Sequence, residues 1–221
     1  MSKNYLTIKA SGSHELEIKK SRFICSVQRA TTKETADVFI ESVRQANPKA
    51  NHNCFAYMLG EHDEIQRESD DGEPSGTAGV PILEVLKRMA LHDVVAVVTR
   101  YFGGTKLGAG GLIRAYSNST SRAIEQVGLV KKVLQQDLIL TVSYANYEKL
   151  NYHLEQQQIN VVNTDYGSDV QVTIAADLAL VDQVQTNIMN LLSGQVTIKA
   201  SDEHYHEVDV PVYPDADTAK D

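Results

Sequence analysis

The feature that most constrains the fold is a cluster of glycines between an apolar run and a helix-like segment. Five of the thirteen glycines fall within nine residues, 103 to 111, of the sequence RYFGGTKLGAGGLIRAY (100–116). The apolar run that precedes them, residues 93–102, is typical of a strand buried on both faces. From about residue 109 to 127 the apolar spacing is helical, and Gly128 can end that helix. The sequence therefore predicts a strand, a glycine-rich turn and a helix in succession.

A glycine-rich turn that leads into a helix exposes backbone N–H groups to a bound anion. The candidate nucleic-acid-binding or anion-binding residues are Arg100, Gly103, Gly104, Lys106, Gly108, Gly110, Gly111 and Arg114. Nucleotide hydrolysis and NAD chemistry have no direct support, because Leu107 follows the lysine of an incomplete P-loop pattern and Ile113 replaces the third glycine of a dinucleotide pattern. The alternative is close packing of helix on strand, which leaves no room for a Cβ, and the two roles can coexist.

A second informative segment, DDGEPSGTAG (70–79), places three carboxylates within four residues. Asp70, Asp71 and Glu73 on a glycine-rich turn are a possible Mg²⁺ site, because hard cations prefer oxygen ligands. The same groups can act as acid and base if close packing raises the pKa of one of them. The alternative is a solvated turn whose side chains bond their own backbone. We expect no other cofactor.

Composition and charge limit the class of protein. The 221 residues have a net charge of −8, and no stretch approaches about 18 consecutive apolar residues, so we expect no membrane-spanning helix. The start lacks the pattern of a signal peptide, and two cysteines are too few for a disulfide scaffold; we therefore expect a cytoplasmic protein. Residues 1–136 carry 18 Lys+Arg and 15 Asp+Glu, whereas residues 137–221 carry 3 and 14. A nucleic-acid surface therefore belongs in the first part.

The first part, residues 1–132, is predicted to be an α+β domain. Its helices are expected from Thr31 or Thr32 to about residue 46, over 81–93 and over 109–127. Residues 61–79 are expected to form a long polar loop, which in a compact domain is usually functional or mobile. The predicted strands are 5–10, 14–20, 21–30, 52–60 and 93–102.

Residues 133–200 are predicted to form a second domain with the order βαββαβ, which is the ferredoxin-like split arrangement. A half-buried strand over 137–144 opens it and a strand over 195–200 closes it. The remaining residues, 201–221, are acidic and are expected to form an extended or frayed tail.

The segments 70–79 and 100–116, with SRF (21–23) and HNCFAY (52–57) ahead of them, resemble the YigZ/IMPACT family. The resemblance covers about residues 10–128, and the C-terminal part resembles the ferredoxin-like domain that bacterial members carry. It implies an N-terminal βαβ fold shared with a small-subunit ribosomal protein domain and the fourth domain of elongation factor G. Eukaryotic members restrain a kinase that phosphorylates a translation initiation factor, and use a different N-terminal module for that role. The family provides no catalytic residues to transfer.

Three functions follow as hypotheses. The first is a non-enzymatic regulator of translation that binds RNA or the ribosome through the basic glycine-rich segment, with the acidic C-terminal domain facing away or binding a basic protein. The second is a Mg²⁺-dependent enzyme acting on a phosphorylated small molecule or nucleotide, which requires the two segments to meet around a pocket. The third is a protein-interaction adaptor. Fold-level resemblance favours the first, so an enzyme is the less expected outcome.

Overall fold

The computed structural model describes residues 4–60 and 63–211. These residues form two compact units: an N-terminal unit of residues 5–131 with 208–211, and a C-terminal unit of residue 4 with 132–207. Each unit combines helices with an antiparallel sheet, so the predicted two-domain α+β class is confirmed. No helix among the described residues is long and apolar enough to cross a membrane.

The N-terminal unit holds one strand outside its main sheet, five strands within that sheet and three helices. They are β1 (Tyr5–Ile8), β2 (Gly12–Ile18), β3 (Ser21–Arg29), α1 (Lys33–Ala46), β4 (His52–Leu59), β5 (Ile65–Ser69), α2 (Gly79–Arg88), β6 (Val94–Tyr101) and α3 (Ala109–Val127). The sheet order is β2-β3-β6-β4-β5, and every neighbouring pair is antiparallel.

The two faces of β6 are both buried, as the apolar run predicts. Val94, Ala96 and Val98 pack with side chains of α2 and α3. Val95 and Val97 point the other way, into a cluster with α1. Because successive strand residues alternate between faces, Arg100 follows Val98 onto the face that α2 and α3 cover. This alternation places the site described below.

Helices α1 and α3 begin and end where local signals put them, whereas the helix predicted over 81–93 begins at Gly79 and ends at Arg88. Thr32 caps α1, and its side chain accepts a hydrogen bond from the backbone of Thr35. Helix α3 runs from Ala109 to Val127, and Gly128 follows it with a φ of 75°, which confirms the predicted bounds. The polar loop predicted over 61–79 is wrong in part, because Ile65–Ser69 forms the edge strand β5. Residues 61 and 62 lie outside the described residues.

The C-terminal unit contains most of β7 and β10 and every element between them. The order is β7 (Leu129–Val142), α4 (Tyr144–Gln156), β8 (Asn160–Tyr166), β9 (Val170–Asp177), a 3₁₀ turn (Leu178–Leu180), α5 (Val181–Leu191) and β10 (Thr197–Val210). The sheet runs β7-β9-β8, and β10 pairs with β7 on its other side. The core consists of side chains from β7, β9, α4 and α5, among them Leu140, Leu150, Ile174 and Ile188.

The first and last strands of this unit are longer than predicted. Strand β7 begins at Leu129, eight residues before the expected position, and β10 continues to Val210 instead of ending near residue 200. Residues 201–210 are thus paired strand where an extended or frayed tail is expected. The rest of the predicted tail, residues 212–221, lies outside the described residues.

Candidate functional site

The carboxylate of Asp70 closes the acidic segment onto the start of α2. Its Oδ1 accepts hydrogen bonds from the backbone N–H groups of Ala78 and Gly79, each at 2.9 Å, and its Oδ2 accepts one from Gly76 at 2.8 Å. Burial acts to raise the pKa of Asp70, but these three donors outweigh it and hold the pKa below its usual value. The N-cap residue of α2, Ala78, has no side chain that can cap the helix. Asp70, eight residues earlier in the chain, therefore caps α2 in its place.

Asp71 is held in the same way by the neighbouring strand. Its Oδ2 accepts a hydrogen bond of 2.6 Å from the backbone N–H of Asn53, and its Oδ1 lies 3.4 Å from the guanidinium of Arg44. The backbone carbonyl of Asp71 lies 2.8 Å from Nδ1 of His52. Both oxygens of Asp71 are thus occupied by protein groups.

Glu73 belongs to a buried polar network that joins the two informative segments. Its Oε1 accepts hydrogen bonds from Arg100 at 2.6 Å and from the Tyr116 hydroxyl at 2.7 Å. The Cys54 sulfur lies 3.4 Å from that hydroxyl, and burial raises the pKa of the Cys54 thiol to about 12. Burial also raises the pKa of Tyr116 far above its usual value, so the phenol stays a donor.

These contacts leave the possible metal site without support. The three predicted ligands bond backbone N–H groups, arginines and a tyrosine. No group of three or more His, Cys, Asp or Glu side chains within residues 4–60 and 63–211 is arranged to hold a metal ion.

The position of Arg100 differs from the exposed phosphate contact that the sequence suggests. The residue is 5% exposed, and its guanidinium lies between the rings of Phe23 and Phe102, at 5.2 and 5.5 Å from their centres. The strand alternation of β6 turns it inward, and Glu73 neutralises it there. Arg100 is thus a buried partner of the acidic segment.

The glycines of the second segment serve different purposes. A Cβ on Gly103 would overlap the backbone of Lys20, so close packing requires glycine there. Gly104 and Gly108 have φ values of 86° and 72°, a conformation that disfavours other residues. Gly111 would meet Leu107 at 3.1 Å, whereas a Cβ on Gly110 would meet nothing within 4 Å. Gly110 is thus the one among these five that neither packing nor an unusual φ explains.

The N-terminus of α3 is open and positively charged. Gly108 precedes this 19-residue helix and gives it no side-chain cap, so the N–H groups of its first turn have no acceptor within the helix. Lys106 and Arg114 are exposed, and neither forms an ion pair or hydrogen bond with another described residue. The partial positive charge of the helix end adds to these two cations.

The two segments meet around a cavity of about 340 Å³. Its lining residues come from the acidic segment, the end of β6 and the start of α3: Glu73, Pro74, Arg100, Phe102, Lys106, Leu107, Gly108, Ala109 and Leu112. Asp70 and Asp71 are not among them.

Two family models match the chain: the Impact N-terminal domain over residues 19–124, and a domain of unknown function, DUF1949, over residues 140–195. IMPACT family member YvyE of Bacillus subtilis (strain 168) is 42% identical over 209 residues, which cover 92% of this chain and 94% of YvyE. IMPACT family member YigZ of Escherichia coli (strain K12) is 35% identical over 189 residues, covering 85% and 93%. The chain belongs to the IMPACT family. The resemblance stated from the sequence is confirmed.

A solved structure is similar to this chain over most of its length. It is a crystal structure described as that of a hypothetical protein, 32% identical, with a TM-score of 0.58 over 91% of this chain and 99% of its own. The Impact N-terminal domain match spans both informative segments, so the cavity lies in the part that the chain shares with this family.

Four of the nine residues that line the cavity are among the site residues predicted from the sequence, whereas the aromatic lining residue, Phe102, and the Glu73 partner Tyr116 are not. Glu73, Arg100, Lys106 and Gly108 line it as parts of the two segments, whereas Arg114 lies outside its lining. Phe102 and Tyr116 were not predicted as site residues, although both are printed in the segment RYFGGTKLGAGGLIRAY. An aromatic residue directly before a glycine-rich turn is the signal that could have identified Phe102.

Proposed function

We propose that this chain is a non-enzymatic regulator of translation that binds RNA or the ribosome through the N-terminal end of α3. The observation that carries the proposal is the pair of unpaired cations, Lys106 and Arg114, beside an uncapped helix end. Backbone N–H groups and lysine or arginine side chains are the groups that contact nucleic-acid phosphates. Gly104, Gly108 and Gly110 add no bulk, which allows a phosphate to approach the backbone closely.

The role in translation rests on resemblance. The eukaryotic members of the IMPACT family act on the control of translation initiation, and the two domains resemble parts of elongation factor G. In the C-terminal unit the strand order β10-β7-β9-β8 supports the ferredoxin-like interpretation, because it places the first strand between the last and the third. The N-terminal likeness to the fourth domain of elongation factor G belongs to the same proposal.

The acidic C-terminal unit has a separate part in the proposal. Residues 132–207 carry 10 acidic and 3 basic side chains, so phosphate would repel them. We assign RNA contact to the N-terminal unit alone and a basic protein partner to the C-terminal unit.

The test compares ribosome co-sedimentation of the wild type with that of Lys106→Gln/Arg114→Gln. We expect the double variant to lose at least tenfold in affinity. The matched control, Lys87→Gln/Arg88→Gln, removes the same charge from the exposed end of α2 and should bind as the wild type does. Equal binding by both double variants would contradict the proposal and favour a protein-interaction adaptor.

A second pair of variants tests the helix end itself. Gly110→Asp places a negative charge in open space at the second residue of α3, where an acidic residue stabilises a helix. It should therefore weaken RNA binding without harming the fold. Gly110→Asn adds nearly the same volume without charge and should bind more tightly than Gly110→Asp. If the two variants bind RNA with identical affinity, the N-terminal end of α3 is not part of the RNA-binding surface.

A further inference from the structure

The lining of the cavity between the two segments combines polar groups with apolar side chains. Lys106, Gly108 and Ala109 bring a cation and the start of α3 to it. Pro74, Phe102, Leu107 and Leu112 supply the apolar part of its lining. Its volume of about 340 Å³ falls in the range of roughly 300–1,000 Å³ that is usual for small-molecule sites.

An aromatic ring at this cavity is unusually exposed. Phe102 is 47% exposed although it directly follows the buried strand β6. The Arg100 guanidinium lies over the ring, 5.5 Å from its centre, and nearly half of the residue stays exposed. An exposed aromatic ring beside positive charge is the arrangement on which nucleic-acid bases stack.

Arg100 provides a second, independent observation at this cavity. It lines the cavity and is 5% exposed, yet its Nε–H has no hydrogen-bond partner among the described residues. Its Nη1 donates to Glu73 and its Nη2 to Ser21, so Nε–H is the donor of this guanidinium that stays unsatisfied. A buried donor without an acceptor is unfavourable, so the wall of the cavity keeps an excess of hydrogen-bond donors that suits an acceptor-rich ligand.

The charge balance indicates where an anion would lie. Glu73 and Arg100 form an ion pair of 2.6 Å and largely cancel. The remaining positive charge comes from Lys106 and the N-terminus of α3. A phosphate is therefore favoured at the helix end, where Gly108 lines the cavity and a Cβ on it would meet nothing within 4 Å.

The geometry points to a site for one nucleoside monophosphate unit, with its phosphate at the N-terminus of α3 and Lys106 and its base stacked on Phe102. A sugar phosphate without a base would leave the apolar side of the cavity unused. The inference deepens the proposed function and rests on it for the choice of a nucleic-acid ligand. The unit can be a free nucleotide or the 5′-phosphorylated end of a single-stranded RNA.

The experiment measures binding of adenosine 5′-monophosphate, adenosine and inorganic phosphate to the full chain by calorimetry. We expect the monophosphate to bind at least tenfold more tightly than adenosine or phosphate. Phe102→Leu keeps apolar bulk but removes the ring, and it should weaken that binding about tenfold, whereas Phe102→Tyr should retain it. Equal affinity for adenosine and its monophosphate, or wild-type affinity in Phe102→Leu, would overturn the inference.

A second arm distinguishes the two sources of the unit. Single-stranded oligoadenylates of five residues are compared with and without a 5′-phosphate. A preference of at least tenfold for the phosphorylated oligonucleotide over both its 5′-hydroxyl form and the free monophosphate identifies an RNA end. Equal affinity for free monophosphate and phosphorylated oligonucleotide identifies a free nucleotide. Loss of any preference for the 5′-phosphate in both arms overturns the site.

Failure of this site and failure of the proposed function give different results. RNA binding that is lost in Lys106→Gln/Arg114→Gln but unchanged in Phe102→Leu overturns the nucleotide site and leaves the RNA surface in place. Monophosphate binding that depends on Phe102, in a chain that binds neither RNA nor ribosomes, supports the site and overturns the proposed function.

Discussion

Nη1 of Arg100 lies 2.6 Å from Oε1 of Glu73, in a pair whose side chains are 6% and 4% exposed. This ion pair links two segments that are 27 residues apart in the chain. It positions the acidic segment against the end of β6, and the cavity forms beside it. The sequence suggests Glu73 as a metal ligand and Arg100 as a phosphate contact. In the structure the charges of these two side chains neutralise each other.

Removing one member of this pair is expected to destabilise the fold. Glu73→Gln leaves the Arg100 guanidinium buried without its counter-charge, and should lower the free energy of unfolding by about 3–5 kcal/mol. Urea denaturation at neutral pH measures the change. The double variant Glu73→Gln/Arg100→Gln should cost less than the sum of the two single variants, because the uncompensated charge is gone. Strict additivity would show that the pair is not coupled.

Asp70 is expected to contribute stability that depends on pH. Three backbone donors lower the pKa of Asp70 in the folded state, so its contribution is complete above the unfolded value of about 3.9 and disappears as the pH falls through the lower folded value. Asp70→Asn should therefore cost about 1–3 kcal/mol at pH 7 and less below pH 4. Urea denaturation at both pH values measures this.

The control for Asp70 is Glu68→Gln, an exposed carboxyl on β5, which should change stability by less than about 0.5 kcal/mol at either pH. A cost of Asp70→Asn that is the same at pH 7 and pH 3 would contradict the assigned role of the carboxylate.

Two glycines of the same segment should respond oppositely to alanine. Gly103→Ala would force a Cβ onto the backbone of Lys20 and should cost several kcal/mol, about 3 or more. Gly110→Ala enters open space within a helix and should stabilise the chain by about 0.5–1 kcal/mol. Thermal or urea denaturation compares them. If Gly103→Ala and Gly110→Ala destabilise the chain equally, close packing requires glycine at position 110 as well, which would contradict the assignment.

The two cysteines should be inert in the native protein. Burial raises the pKa of both Cys25 and Cys54 to about 12, so the nucleophilic thiolate is absent at neutral pH. Unfolded thiols ionise near pH 8.5, so stability from these groups is complete below that pH and is lost as the pH rises towards 12. Ellman's reagent at pH 8 should react only after urea is added. Rapid reaction of the native protein would contradict the assignment.

The elements with strong local signals could be predicted from the sequence. The alternating burial of β6, the bounds of α3 and the Thr32 cap follow from apolar spacing, Gly128 and a capping side chain. Strand β5 was not predicted, because its residues lie exposed at a sheet edge and show no apolar alternation. The extension of β10 to Val210 was not predicted because four of residues 201–210 are acidic and the segment is largely exposed.

The site was predictable in position but not in role. Its two segments stand out by glycine and charge, yet the partner of Arg100 lies 27 residues earlier in the chain, and no local pattern reveals that distance. Asp70 bonds N–H groups six to nine residues later, which depends on the turn that only the fold defines. The predicted metal ligands therefore hold the fold together through tertiary contacts. Of the three predicted phosphate-binding cations, Lys106 and Arg114 are exposed and Arg100 is buried.

The most direct test of the central claim is the salt dependence of single-stranded RNA binding. The logarithm of the binding constant of the wild type should fall linearly with the logarithm of salt concentration, by about 0.7 for each phosphate contact. Lys106→Gln/Arg114→Gln should make the slope shallower by about 1.4, whereas Lys87→Gln/Arg88→Gln should leave it unchanged. A flat response of the wild type, or the same slope in all three proteins, would contradict an RNA-binding surface at the start of α3.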